Sequence, residues 1–239
     1  YGKVQLGSSR FANIEADTAV IEIHFSEGFI TADTIHVVIG GVSVEGGGQL
    51  AMSDSESTDK ILFKFDANNL NGLHPLIIGS NIIARDTLSD LESSVLVMEG
   101  INPDTLPTLS ETFVSGNLAG DLTLGKSFDN LEISGRAYLE NGTYRNNRAE
   151  VMDLLFSVDE SFSSEQKIEM QFEGAGLNIF DKKFDSVSVN LGHEGLRGRA
   201  NILLAKSQEE SYRVALSFEQ QEMSRTYHFD ELIFRFPHE

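Results

Sequence analysis

Six histidines, His24, His36, His74, His193, His228 and His238, are the side chains best suited to acid–base or metal chemistry. Their spacing forms none of the HxH, HxxxH or HExxH patterns that present two imidazoles to one ion. His24 and His36 fall on the polar phase of alternating segments, where a solvated imidazole is the simple reading. Serines are abundant, but no Gly-x-Ser-x-Gly elbow exists to lift a nucleophile out of a sheet. The 37 acidic residues guarantee carboxylate pairs by chance, so pairing alone does not point to glycoside chemistry. Absence of tryptophan removes the usual sugar-stacking platform. Asp54-Ser-Glu56-Ser-Thr-Asp59 is the densest acidic loop; it reads as a calcium loop or, more simply, as a solvated hairpin tip. Gly46-Gly47-Gly48 has the composition of a phosphate cradle but neither a following lysine nor a helix, so a bulge or close backbone approach is the better account. These residues predict no enzyme, no metal and no cofactor.

Composition narrows the partners. The chain has 239 residues, with 18 Lys+Arg against 37 Asp+Glu and a net charge of −19. Such a balance disfavours nucleic acid, whose phosphates demand a basic footprint. With no cysteine, disulfides, thiol nucleophiles and cysteine-ligated metals are excluded from this chain. Hydrophobic residues make up 40%, enough to fold. No apolar run reaches the roughly 18 residues of a membrane span. A chain that opens on Tyr1 is expected to be a processed or excised piece of something longer.

Chemistry of any kind must be positioned by strands, because alternation with period two runs along nearly the whole chain. Ile21, Ile23 and Phe25 alternate with Glu22 and His24; Ile35, Val37 and Ile39 repeat the pattern, as do Ile61, Phe63 and Phe65. Val95 and Val97, Leu118 to Leu124, Met170 and Phe172, Val187 to Leu191, Leu196 to Leu204, Val214 to Phe218 and Leu232 to Phe236 continue it. Helical candidates are few: Thr87–Ser93 fits one turn, and Asn147–Leu155 fits a strand better than a short helix. Glu140-Asn141-Gly142-Thr143 predicts a type I′ hairpin turn. Residues 1–100 read as an N-terminal sheet segment, 101–111 as a linker and 112–239 as a C-terminal segment continuous with the first. The fold class is all-β: an elongated, curled antiparallel sheet with an open groove, alternatively a β-sandwich. About 14 to 16 strands at roughly 4.8 Å would extend 65 to 75 Å, beyond what a flat sheet normally reaches.

A sextet recurs: Phe128-Asp129-Asn130-Leu131-Glu132-Ile133, Phe184-Asp185-Ser186-Val187-Ser188-Val189, Phe229-Asp230-Glu231-Leu232-Ile233-Phe234 and, more weakly, Ala32-Asp33-Thr34-Ile35-His36-Val37. Each aspartate is expected to end a loop before a strand. Residues 33–52 align with 185–204 at a constant offset, which predicts two hairpins of one design. The stretch Ser115–Tyr144, with Gly116, Gly120, Gly125, Gly135 and Gly142 spaced among alternating apolar residues around the sextet, resembles strand pairs of the AsmA-like superfamily, especially its TamB (translocation and assembly module) type.

That resemblance implies an apolar concave face that shields acyl chains as phospholipids move between the membranes of a diderm envelope. It also implies a periplasmic or envelope location, a tether outside this sequence, and an outer-membrane barrel protein as partner. The expected lining is Ile35, Val37, Ile39, Leu122, Leu124, Leu131, Ile133, Val187, Val189 and Leu191, with the −19 charge confined to the other phase and the loops. The competing expectation is a secreted or surface β-sandwich or solenoid for adhesion or scaffolding, whose apolar faces are filled by its own side chains.

Overall fold

The computed structural model describes residues 1–7, 9–11, 14–53, 56–68, 70, 114–144, 147–161, 165–179, 181–221 and 224–236. The predicted strand at Val95–Val97, the helical turn at Thr87–Ser93 and the linker 101–111 lie outside them. Among the described residues, fourteen strands form one antiparallel sheet. They are β1 (Gly2–Leu6), β2 (Ser9–Phe11), β3 (Ile14–Ser26), β4 (Phe29–Ile39), β5 (Val42–Ala51), β6 (Lys60–Ala67), β7 (Val114–Lys126), β8 (Leu131–Tyr144), β9 (Asn147–Asp159), β10 (Lys167–Ile179), β11 (Lys182–Glu194), β12 (Arg197–Ala205), β13 (Ser211–Gln221) and β14 (Ser224–Arg235). Order in the sheet follows order in sequence, with β2 paired to β3 off the main path. Because β6 pairs directly with β7, one sheet runs through both halves of the chain.

Among the described residues the ladder stays open at β1 and β14, and no barrel closes. Each strand packs on its hydrogen-bonded neighbours, and the one further contact of any extent is β5 with β7. No second layer covers the sheet among the described residues, which removes the sandwich alternative there. The β5–β7 contact arises because β6 stops short. Past its end, the Phe128 N–H donates to the Ala51 carbonyl at 2.8 Å and the Asp129 N–H to the Met52 carbonyl at 3.1 Å. Ser127, in a parallel bridge with Ala51, is left with no exposed surface. The sheet therefore curls over at this end, gathering Ala32, Leu50, Ile61 and Leu131 into a small core.

Tight turns with left-handed backbone join the early hairpins: Glu27-Gly28 between β3 and β4, and Gly40-Gly41 between β4 and β5. Asn141-Gly142 is not such a turn. β8 runs straight through it to Tyr144, and Asn141, with φ of 52°, sits where the β7–β8 register shifts opposite Gly116. The left-handed conformation that asparagine tolerates serves a bulge as well as a hairpin.

That bulge belongs to a seam. Gly116, Asn141, Glu150, Gly176 and Asp185 lie on successive strands, and pairing lapses between Asn141 and Glu150, between Glu150 and Gly176 together with the adjacent Ala149 and Leu177, and between Gly176 and Asp185, resuming on either side. Across it the pleat inverts. Ala149 joins Met152, Leu177 joins Phe172, and Phe184 joins Val187 and Val189 in one cluster, though each pair is of opposite parity. The sextet aspartates follow the same logic. Only Asp129 precedes its strand in a turn; Asp33 and Asp230 lie at register shifts inside β4 and β14, and Asp185 lies on the seam. The two hairpins of the constant-offset alignment also differ, since the second turns at Gly195-Leu196, three residues later than the offset requires.

Glycine on the apolar face has a specific use. A Cβ on Gly120 would stand 2.4 Å from the Phe65 ring and 2.2 Å from the Arg136 carbonyl oxygen. Gly46 bears the same relation to Phe63, Gly135 to Phe156 and Gly198 to Phe218, each ring lying over its cross-strand partner. Gly125, on the same strand as Gly120, has only the Lys60 side chain near, at 4.0 Å. Gly120→Ala should therefore cost about 1–3 kcal/mol of stability through overpacking, and Gly125→Ala should stay within about 0.5 kcal/mol of wild type. Urea unfolding of the two variants side by side measures the difference.

Candidate functional site

Register carries the apolar phase from strand to strand. Ile21, Ile35, Gly46, Phe63, Leu122, Gly135, Phe156, Met170, Leu191, Ala200, Leu216 and Phe229 are successive cross-strand partners from β3 to β14. Parallel rows run through Val37, Phe65, Leu154 and Val189, through Leu124, Ile133, Ile168 and Phe218, and through Ile39, Leu118, Met152 and Val187. Paired residues share a face of the sheet. The result is a band four rows wide in which no Asp, Glu, Lys or Arg appears. Its only polar side-chain atoms are those of His193, Tyr212 and Tyr227.

All ten lining residues read from sequence fall on this face. Ile35, Leu122 and Leu191 share the first row, Val37 and Val189 the second, Leu124 and Ile133 the third, and Ile39 and Val187 the fourth. Leu131, two residues before Ile133, enters the same face at the curled end. Leu131 and Val187 are buried, and the other eight are half-buried by their sheet neighbours. Exposure rises at the open end, where Phe229 is 75% exposed and Phe234 52%. Sequence reasoning passed over the phenylalanine–glycine pairs; their signal was present as Phe63, Phe65 and Phe156 on the apolar phase, but only register shows which glycine each ring meets.

The histidines do not converge. His24 pairs with Asp33 at 2.7 Å and His36 with Glu45 at 3.5 Å, both on the polar face. His193 lies in the apolar band with its ring 5.7 Å from Phe218 and its Nδ1 buried without a hydrogen-bond partner among the described residues. His74 and His238 lie outside the described residues. In the acidic loop, Ser57 Oγ donates to Asp59 at 2.6 Å; Asp54 lies outside the described residues. No group of three His, Asp or Glu side chains could hold a metal ion among the described residues. Gly46-Gly47-Gly48 is strand, pressed on β6: a Cβ on Gly48 would stand 2.1 Å from the Lys60 carbonyl oxygen.

The polar face is laced by cross-strand ion pairs. Arg136 donates to Asp153 through both Nε, at 2.9 Å, and Nη2. Lys126 reaches past β8 to Asp159 on β9 at 2.5 Å, with Glu132 at 3.7 Å. That hydrogen bond, more than the attraction of the charge, holds the Asp159 carboxyl below the usual aspartate range, against the desolvation that would raise it. A carboxyl depressed on folding stabilises the sheet above its unfolded value, near 4, and the contribution fades as pH falls through the lower folded value. Asp159→Asn should lower the urea midpoint modestly at pH 7, because both partners are partly exposed. The gap between variant and wild type should narrow steadily below about pH 4; a gap that stays constant down to pH 2 contradicts it.

No family model matches the chain, and comparison with curated proteins and with solved structures returns no match.

Proposed function

We propose that the apolar band is a lipid-shielding trough, and that the chain is the groove segment of an AsmA/TamB-like envelope protein that aids phospholipid transfer or outer-membrane assembly without catalysis. The observation that carries this reading is the continuity of the band: twelve strands wide, free of charge, and uncovered among the described residues. A single sheet with a filled core has no need of such a surface, since large contiguous apolar patches on soluble proteins mark interaction sites.

Dimensions agree with the ligand. Four rows span three two-residue steps, or roughly 20 Å along the strands, and one leaflet contributes about 15 Å of hydrocarbon thickness. Eleven strand spacings give a length of roughly 53 Å. An acyl chain of about 16 carbons gains on the order of 10 kcal/mol from leaving water, before ordering costs. Affinity of this kind needs no polar contact, which fits a band with three polar side chains. On this reading the chain works in the periplasm or cell envelope of a diderm bacterium, alongside an outer-membrane barrel protein.

Native mass spectrometry of the gently extracted chain should show co-purified phospholipid, and a lipid-free spectrum on repeated preparation would sink the reading. Val189→Asp, placing a charge in the band, should lower phospholipid occupancy at least ten-fold. Leu203→Asp, on the opposite face where Leu203 is already 41% exposed, should leave occupancy unchanged. Thermal melts of both variants separate lost binding from lost fold.

A further inference from the structure

The face opposite the apolar band carries a feature that lipid shielding does not use. Over most of that face, charges are matched across strands, as in Arg136 with Asp153, Arg197 with Glu219 and Arg213 with Glu231. The match is incomplete on β11 and β12, although Arg197 is paired and, on β10, Lys167 holds Glu169 at 2.9 Å. There Arg199 has no carboxylate partner, and Asn190 and Asn201 have no side-chain hydrogen bond, among the described residues. Register gathers these groups: Asn190 is paired with both Gln171 and Asn201, and Gly192 with Arg199. A Cβ on Gly192 would stand 3.4 Å from Arg199 Nε, so the arginine lies across a floor that only glycine leaves this low. Two hollows, of about 710 and 330 Å³, meet here and share Gly192, Arg199 and Glu169, whose carboxylate is held by Lys167.

We propose that this patch binds a carboxylate-bearing sugar of the uronic-acid type. The guanidinium offers two parallel N–H groups that match a carboxylate, a geometry a lysine would not supply. Carboxamides of Asn190 and Asn201 each present donors and an acceptor, and Gln171, whose Nε2 already donates to Glu173 at 3.0 Å, adds its oxygen and remaining N–H, together the complement of a ring of hydroxyls. Leu155, paired with Gln171 and 45% exposed within this otherwise polar row, gives a sugar's C–H face an apolar contact. Charge sets the limit on the ligand: with a net charge of −19, the chain admits a monoanion far more readily than a polyphosphate. Without an aromatic platform, affinity should be on the order of millimolar.

The test is an NMR titration of the whole chain with glucuronate, glucose and acetate. Glucuronate should bind at least ten-fold more tightly than either of the others. Arg199→Gln should weaken glucuronate at least ten-fold with an unchanged melting curve, and Arg199→Lys should restore only part of the loss. Acetate binding as tightly as glucuronate would reduce the patch to a simple anion site and overturn the proposal. So would glucose binding as tightly, no binding of glucuronate, or an Arg199→Gln chain that binds it like wild type.

Discussion

Cross-strand register converts a set of amphipathic strands into a surface, and every other property of this protein follows from how strictly it is kept. A slip by one residue on any strand would turn its apolar side chains to the polar face and interrupt the band. From β3 to β14 the twelve-membered row through Phe63 and Met170 survives each crossing, including the irregular steps at Glu22/Ile23 and Ala215/Leu216. At those steps an extra residue, Asp33 or Asp230, is absorbed without loss of phase. Without a second layer, burial of the band comes only from neighbours within it. Phenylalanine rings lying over glycines supply part of that cover, since the missing Cβ lets a ring settle flat on the neighbouring strand.

Irregular backbone is concentrated where the phase must change. Along the seam from Gly116 to Asp185, five strands lapse in step, and apolar residues on the far side switch parity yet still meet those on the near side. A single bulge would twist one strand out of line; bulges aligned across neighbours bend the sheet as a whole. The short β6 acts similarly at the other end by letting β5 fold onto the β7–β8 turn.

Charge has a position in this architecture. The four rows contain no Asp, Glu, Lys or Arg, so among the described residues these charged side chains lie on the opposite face, in the turns and at the strand ends. On that face, Arg136, Arg197 and Arg213 are held by carboxylates on adjoining strands. Lys126 spans two strand spacings to do so. Arg199, with Asn190 and Asn201 beside it, departs from that pattern, which makes the polar face more than a solubilising coat.

Much of this was legible in sequence because strand periodicity is a local property. Alternation at Ile35-Val37-Ile39 or Val187-Val189-Leu191 states which side chains share a face without reference to any partner, and all ten residues read that way lie on one side of the sheet. Freedom from charge on that phase was legible for the same reason. What a residue type is for, when several backbone contexts ask for the same conformation, was not. Asn141-Gly142 satisfies a hairpin turn and a bulge equally, and the sextet aspartates suit a turn or a break in the ladder; the choice is made by the strands on either side. Nor does periodicity reveal partners distant in sequence: that Phe65 covers Gly120, or that Asn190, Asn201 and Arg199 form one patch on the polar face. The sequence by itself determined which residues of each strand face the same way. Tertiary structure alone decided that those faces join into one open band, because joining depends on register between strands, and register is an energy of pairs that no single strand contains.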